Sequence, residues 1–92
     1  METINKGISH TIEVDGLDTT LSYTAILHNA ATKKKCEEVG FFIGSKCYFY
    51  FDHSVTSTLD VGVYQLNVYD SNKQEMLFND AYCKVREAGL EG

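Results

Sequence analysis

Hydrophobic and polar residues alternate with a period of two along most of this chain, the pattern of strands that bury one face. Ile8, His10, Ile12 and Val14 alternate with polar neighbours and stop at an Asp15-Gly16 turn. Leu21, Tyr23, Ala25 and Leu27 alternate with Ser22, Thr24 and His28, which predicts a second strand facing a core. Val39, Phe41 and Ile43 predict a third, ended by Gly44. Cys47 to Phe51 is an unbroken run of β-formers, Cys-Tyr-Phe-Tyr-Phe. Tyr64, Leu66 and Val68 mark the next strand, Asp70-Ser71-Asn72 reads as a hairpin loop, and Leu77 to Val85 returns as the last. About seven short strands so spaced predict an all-β, antiparallel β-sandwich.

One segment competes for helix. Thr32 to Val39, closed by Gly40, has a candidate N-cap and a candidate C-terminal glycine. Its charges run the wrong way: Lys33, Lys34 and Lys35 sit at the positive end of the helix dipole, Glu37 and Glu38 near the negative end. The pairs Lys33/Glu37 and Lys34/Glu38 also have the less favourable orientation. The expectation is a loop running into a strand.

Ninety-two residues, 43% of them hydrophobic and 23% charged, fit one globular domain spanning 1–92. A net charge of −5 argues against a nucleic-acid surface, which needs cations to displace counterions from phosphates. The one basic cluster, Lys33 to Lys35, is followed at once by Glu37 and Glu38 and reads as a solvated loop. Nothing near Met1 has the apolar centre of an export signal, and no window approaches the ~20 apolar residues of a membrane span. The expectation is a protein made in the cytoplasm, without membrane insertion. Cys36, Cys47 and Cys83 are odd in number and contain no Cys-x-x-Cys pair, so free thiols are expected. The chain has no proline, which removes one usual means of blunting strand edges.

The stretch Leu59-Asp60-Val61-Gly62-Val63-Tyr64-Gln65-Leu66 resembles the Asp-x-Gly-x-Tyr corner of immunoglobulin-like domains. The resemblance makes Asp60, Gly62 and Tyr64 a structural corner, with the Tyr64 hydroxyl reaching back to upstream backbone at the start of strand F. Leu66 stands where antibody-type domains place their second cysteine, and there is no tryptophan for strand C. The chain is therefore similar to the bacterial and phage immunoglobulin-like modules rather than to antibody domains. Among such modules, small domains starting at their own methionine and lacking an export signal serve tailed phages as capsid decoration proteins, head or tail accessories and baseplate parts. The resemblance thus implies a component of a virion, made in host cytosol.

Chemistry for catalysis is not legible. There is no nucleophile elbow, no zinc-protease helix motif and no glycine-rich phosphate loop. His10, His28 and His53 have no metal-ligand spacing relative to the cysteines, and Cys36 with His28 is a dyad only on paper. No enzyme activity, cofactor or metal is expected. The surplus of aromatics is more informative. If Phe49 and Phe51 point inward, Tyr48 and Tyr50 point out; if Val39, Phe41 and Ile43 point inward, Phe42 points out; Tyr69 follows by the same alternation from Leu66 and Val68. The expected contact surface is thus Phe42, Tyr48, Tyr50 and Tyr69.

These readings converge on a structural, non-enzymatic assembly protein, oligomeric or lattice-bound, with capsid or tail proteins as partners. A carbohydrate- or protein-recognition module is the alternative, using the tyrosines as a platform or the loops Asp15 to Thr20 and Asp70 to Glu75. A protease-inhibitor-like domain ranks last, because no loop is stiffened by proline or disulfide.

Overall fold

The computed structural model describes residues 1–87. Its strands are β1 (Glu2–Asn5), β2 (His10–Val14), β3 (Tyr23–His28), β4 (Lys35–Val39), β5 (Phe41–Ile43), β6 (Lys46–Phe51), β7 (Gly62–Asp70) and β8 (Glu75–Arg86). One short helix, α1 (His53–Thr56), joins β6 to β7. The strands form two sheets, ordered β1-β8-β7-β3-β4 and β2-β6-β5. With β2, β6 and β5 as strands B, E and D, and β8, β7, β3 and β4 as G, F, C and C′, this is the immunoglobulin-like sandwich. All pairs are antiparallel except β1 with β8, which run parallel with Ile4 opposite Val85.

The alternating side chains of both sheets meet in one core. Ile12 and Val14 of β2 and Cys47, Phe49 and Phe51 of β6 face Tyr23, Ala25 and Leu27 of β3 and Tyr64, Leu66 and Val68 of β7. Ile4, Cys83 and Val85 complete it along β1 and β8. Fully burying each of the Val, Ile, Leu and Phe side chains among these stabilises the fold by about 1.5–3 kcal/mol. Cys36, Cys47 and Cys83 are free thiols.

Strand β1 escapes the period-two reading because only Ile4 of its four residues is buried. The segment from Lys35 to Ile43 is two strands, and β4 begins inside the stretch that competed for helix. At Gly40 the chain leaves the edge of the five-stranded sheet and joins the edge of the other. The Gly40 N–H donates to the Tyr23 carbonyl at 2.9 Å as it passes. Its backbone lies so close to the core that a Cβ would sit 2.6 Å from Phe49 Cε1 and 2.7 Å from Cys47 Sγ. Glycine is the residue this approach admits.

The crossing corrects the expected phase of this strand. With Gly40 against the core, Phe42 also faces inward and packs edge-on against Tyr23, ring centroids 6.1 Å apart. Val39, Phe41 and Ile43, expected inside, are exposed. Phe42, expected at an outer contact surface, belongs to the core margin.

The connection between β6 and β7 holds the predicted corner. Asp52 caps α1 by accepting the Val55 N–H at 3.0 Å. Thr56 Oγ1 donates to the Ile8 carbonyl at 3.0 Å and accepts from the Gly7 N–H at 3.1 Å, tying the helix to the β1–β2 turn. The fully buried Tyr64 donates its hydroxyl to the Asp60 carbonyl at 3.0 Å. Gly62 has φ +143°, a backbone state glycine adopts without strain, and the Asn29 side chain closes over it.

Candidate functional site

The outer side of the three-stranded sheet is built by simple alternation. On β6, Cys47, Phe49 and Phe51 turn inward, so Lys46, Tyr48 and Tyr50 turn outward. Register places Glu13 and Phe41 on either side of Tyr48, Thr11 beside Tyr50, and Ile43 beside Lys46. The Phe41 ring stacks on Tyr48 with centroids 5.9 Å apart and planes 29° apart. The Tyr50 hydroxyl donates to Ser9 Oγ at 3.0 Å. Lys46 Nζ lies 3.0 Å from Glu13 Oε2, an exposed ion pair that raises the lysine above its ordinary pKa, chiefly through the hydrogen bond to Glu13.

This face leaves large apolar groups in water. Phe41 and Tyr50 are each 47% exposed and Ile43 64%. With half-buried Tyr48, and ~150–250 Å² per aromatic side chain, the cluster presents roughly 300 Å² of apolar surface. A contiguous patch of a few hundred Å² on a small domain is often functional. Polar groups are confined to its borders, at Ser9, Thr11, Glu13 and Lys46.

The four residues expected to share a contact surface do not meet. Tyr48 and Tyr50 lie on the outer face just described, and Phe42 lies beneath it. Tyr69 belongs to β7, on the outer side of the opposite sheet. There its hydroxyl donates to Glu75 Oε1 at 3.3 Å; Asn67 Nδ2 donates to the same oxygen at 3.2 Å and Gln65 Nε2 to Asn67 Oδ1 at 3.2 Å. Sequence reading missed Phe41 and Ile43. The signal that marks them is Gly40: a glycine between two apolar residues in a strand pattern indicates close backbone approach, and close approach resets the alternation.

The remaining reactive side chains are dispersed. Cys36 pairs across β3 with buried Leu27, whereas His28 pairs with Lys35 and borders the groove on the opposite side of that sheet, so the two cannot act as a dyad. Burial pushes the Cys36 thiol up to about 11, with Glu38 adding to it, and burial pushes Cys83 up to about 12. Neither is a nucleophile at neutral pH. His10 Nε2 lies 3.2 Å from the Tyr82 hydroxyl, and partial burial lowers its pKa, opposed by Glu2. Among the described residues, no three His, Cys, Asp or Glu side chains converge as metal ligands. No helix among them is long and apolar enough to cross a membrane. An open cleft of about 390 Å³ lies between the sheets beside β2, over Ile12, Leu66, Leu77 and Tyr82. Comparisons with protein-family models, with curated proteins and with solved structures found no match to this chain.

Proposed function

We propose that this chain is a non-enzymatic structural module that docks into a larger protein assembly through the outer face of its three-stranded sheet. The observation that carries the reading is the cluster of Phe41, Ile43, Tyr48 and Tyr50 on that face, large apolar side chains left in water by a fold whose core is already filled. An aromatic centre with a polar border is the composition of an interface. Tyrosine suits it, since the ring contributes area and the hydroxyl keeps a hydrogen bond. The pushed-up thiol pKa values and the scattered histidines favour binding over catalysis.

The likeness of the Asp60–Tyr64 corner to phage immunoglobulin-like modules supports a more specific form: a virion component such as a capsid decoration protein or a head or tail accessory. Mass spectrometry of purified particles tests it. Recovery of this chain in stoichiometric proportion to a capsid or tail protein is the expected result. Particles that lack the chain defeat the virion assignment. Replacing Phe41 and Tyr48 with serine should abolish incorporation while leaving the fold intact; unchanged incorporation would remove this face from the assembly.

The alternative is recognition of a glycan or host protein, favoured by Tyr48 and Tyr50 projecting from one strand. A glycan array probed with the intact protein and with Tyr50→Ala separates the two, because only a saccharide platform gives sugar signals that the substitution removes.

A further inference from the structure

The proposed docking face ends at an open strand edge, and that edge has features of its own. Among the described residues, strand β5 is the last of its sheet and pairs only with β6. The two are joined by Gly44-Ser45, a two-residue loop between Ile43 and Lys46, with φ +65° at Gly44. Glycine first in such a loop makes a type II′ turn, whose flanking residues exchange both backbone hydrogen bonds. Hydrogen-bonded pairs alternate along an antiparallel ladder, so Phe41 and Ile43 bond to β6. The N–H and C=O of Phe42 therefore point the other way, out of the sheet edge.

Natural sheets protect such edges with charge, proline or irregularity. Here the other free edges carry charge: Glu2 on β1, Glu13 on β2, and Lys35, Glu37 and Glu38 on β4. Strand β5 has none, and the run Val39-Gly40-Phe41-Phe42-Ile43-Gly44-Ser45 is uncharged throughout. The chain as a whole carries −5, so two copies repel; β5 is where that repulsion is weakest.

We infer that β5 pairs antiparallel with β5 of a second copy, about a two-fold axis at Phe42, joining two three-stranded sheets into one of six strands. The register is self-complementary. Each Phe42 N–H meets the other copy's Phe42 carbonyl. Each Phe41 lies opposite an Ile43, aromatic against β-branched on the outer face, a favourable cross-strand combination. Gly40 and Gly44 fall opposite one another and leave no side chain to hold the backbones apart. The Phe42 rings stay in their own cores. The pairing makes the two apolar clusters continuous on the outer face but covers little beyond the two three-residue edges. So short an edge buries little area, and the dimer exchanges readily, with a dissociation constant weaker than about 1 μM. This inference rests on the docking reading and names one occupant of its edge, a second copy of the chain.

Sedimentation velocity from about 10 μM to 1 mM tests it, the upper limit chosen for an interface of this size. The expected result is a monomer that shifts to a dimer with concentration, and more readily in added salt, which screens the like charges. Ile43→Lys should leave a monomer throughout with thermal stability preserved, whereas Tyr50→Ala, away from the edge, should dimerise like the unaltered chain. Mixing Phe41→Cys with Ile43→Cys proteins under mild oxidation should cross-link them faster than either alone, because that pair is the one opposed. A protein that stays monomeric at the highest concentration, an Ile43→Lys variant that still dimerises, or equal cross-linking rates overturns the inference. None of these results bears on incorporation into particles, which tests the docking face separately.

Discussion

Placing a methyl group at Gly40 probes the step on which the outer face depends, the passage of the chain from one sheet to the other. In Gly40→Ala the new Cβ would lie 2.6 Å from Phe49 Cε1 and 2.7 Å from Cys47 Sγ. Both neighbours are rooted in the core, with Phe49 at 0% and Cys47 at 1% exposure, so neither can swing into solvent. Overpacking of this kind costs about 1–3 kcal/mol. Gly40 is absent from the residues with positive φ, so alanine is free of backbone strain there and gains about 0.4–1 kcal/mol from a less flexible unfolded chain. The net expectation is a loss of about 1–2 kcal/mol. For a domain of this size that lowers Tm by about 5–15 °C. Urea titration followed by circular dichroism gives the free energy, and a thermal scan gives Tm. The companion Phe49→Leu/Gly40→Ala variant should lose less than the sum of the single changes, with a coupling of at least ~0.5 kcal/mol, because the shortened side chain vacates the contested space. A Gly40→Ala protein as stable as the original, or strictly additive changes, would refute the close approach.

Three further outcomes follow from the same geometry. Tyr64→Phe removes the donor to the Asp60 carbonyl, a part-buried hydrogen bond, and should cost about 0.5–1.5 kcal/mol in urea titration while leaving the far-ultraviolet spectrum unchanged. Neighbouring phenylalanines should behave oppositely: Phe42→Ala, which removes the ring packed on Tyr23, should cost about 2–3 kcal/mol, and Phe41→Ala less than about 1 kcal/mol, measured at low concentration. His10 has a folded pKa below its ordinary 6.5, so the unfolded chain binds the proton first as pH falls. Its contribution is fully present above pH 6.5 and is lost progressively below it, and His10→Gln should flatten the dependence of Tm on pH between about 7 and 5.

Much of this architecture can be read before any coordinates. Period-two alternation identifies β2, β3, β6 and β7 with the correct inward faces, because the apolar side chains buried in each occupy every second position, although β7 also buries the polar Asn67 between Leu66 and Val68. The charge order of Lys33 to Glu38 argues against helix for a local reason, the dipole, and the stretch runs into β4. The corner sequence at Asp60, Gly62 and Tyr64 is equally local: the hydrogen bond it makes spans four residues.

Tertiary structure decided the rest wherever alternation meets a change of sheet. Which of Phe41 and Phe42 faces water depends on where Gly40 lies against Phe49 and Cys47, residues beyond the next turn and invisible to a strand-by-strand reading. Tyr48, Tyr50 and Tyr69 are all outward, yet only sheet order places the first two together and the third on the far side of the sandwich. The pairing of β1 with β8 joins the beginning of the described chain to its end through contacts no local pattern encodes. Sequence periodicity determines that each strand has an inside; the packing of one sheet over the other determines which outward residues become neighbours, and so which of them form a surface.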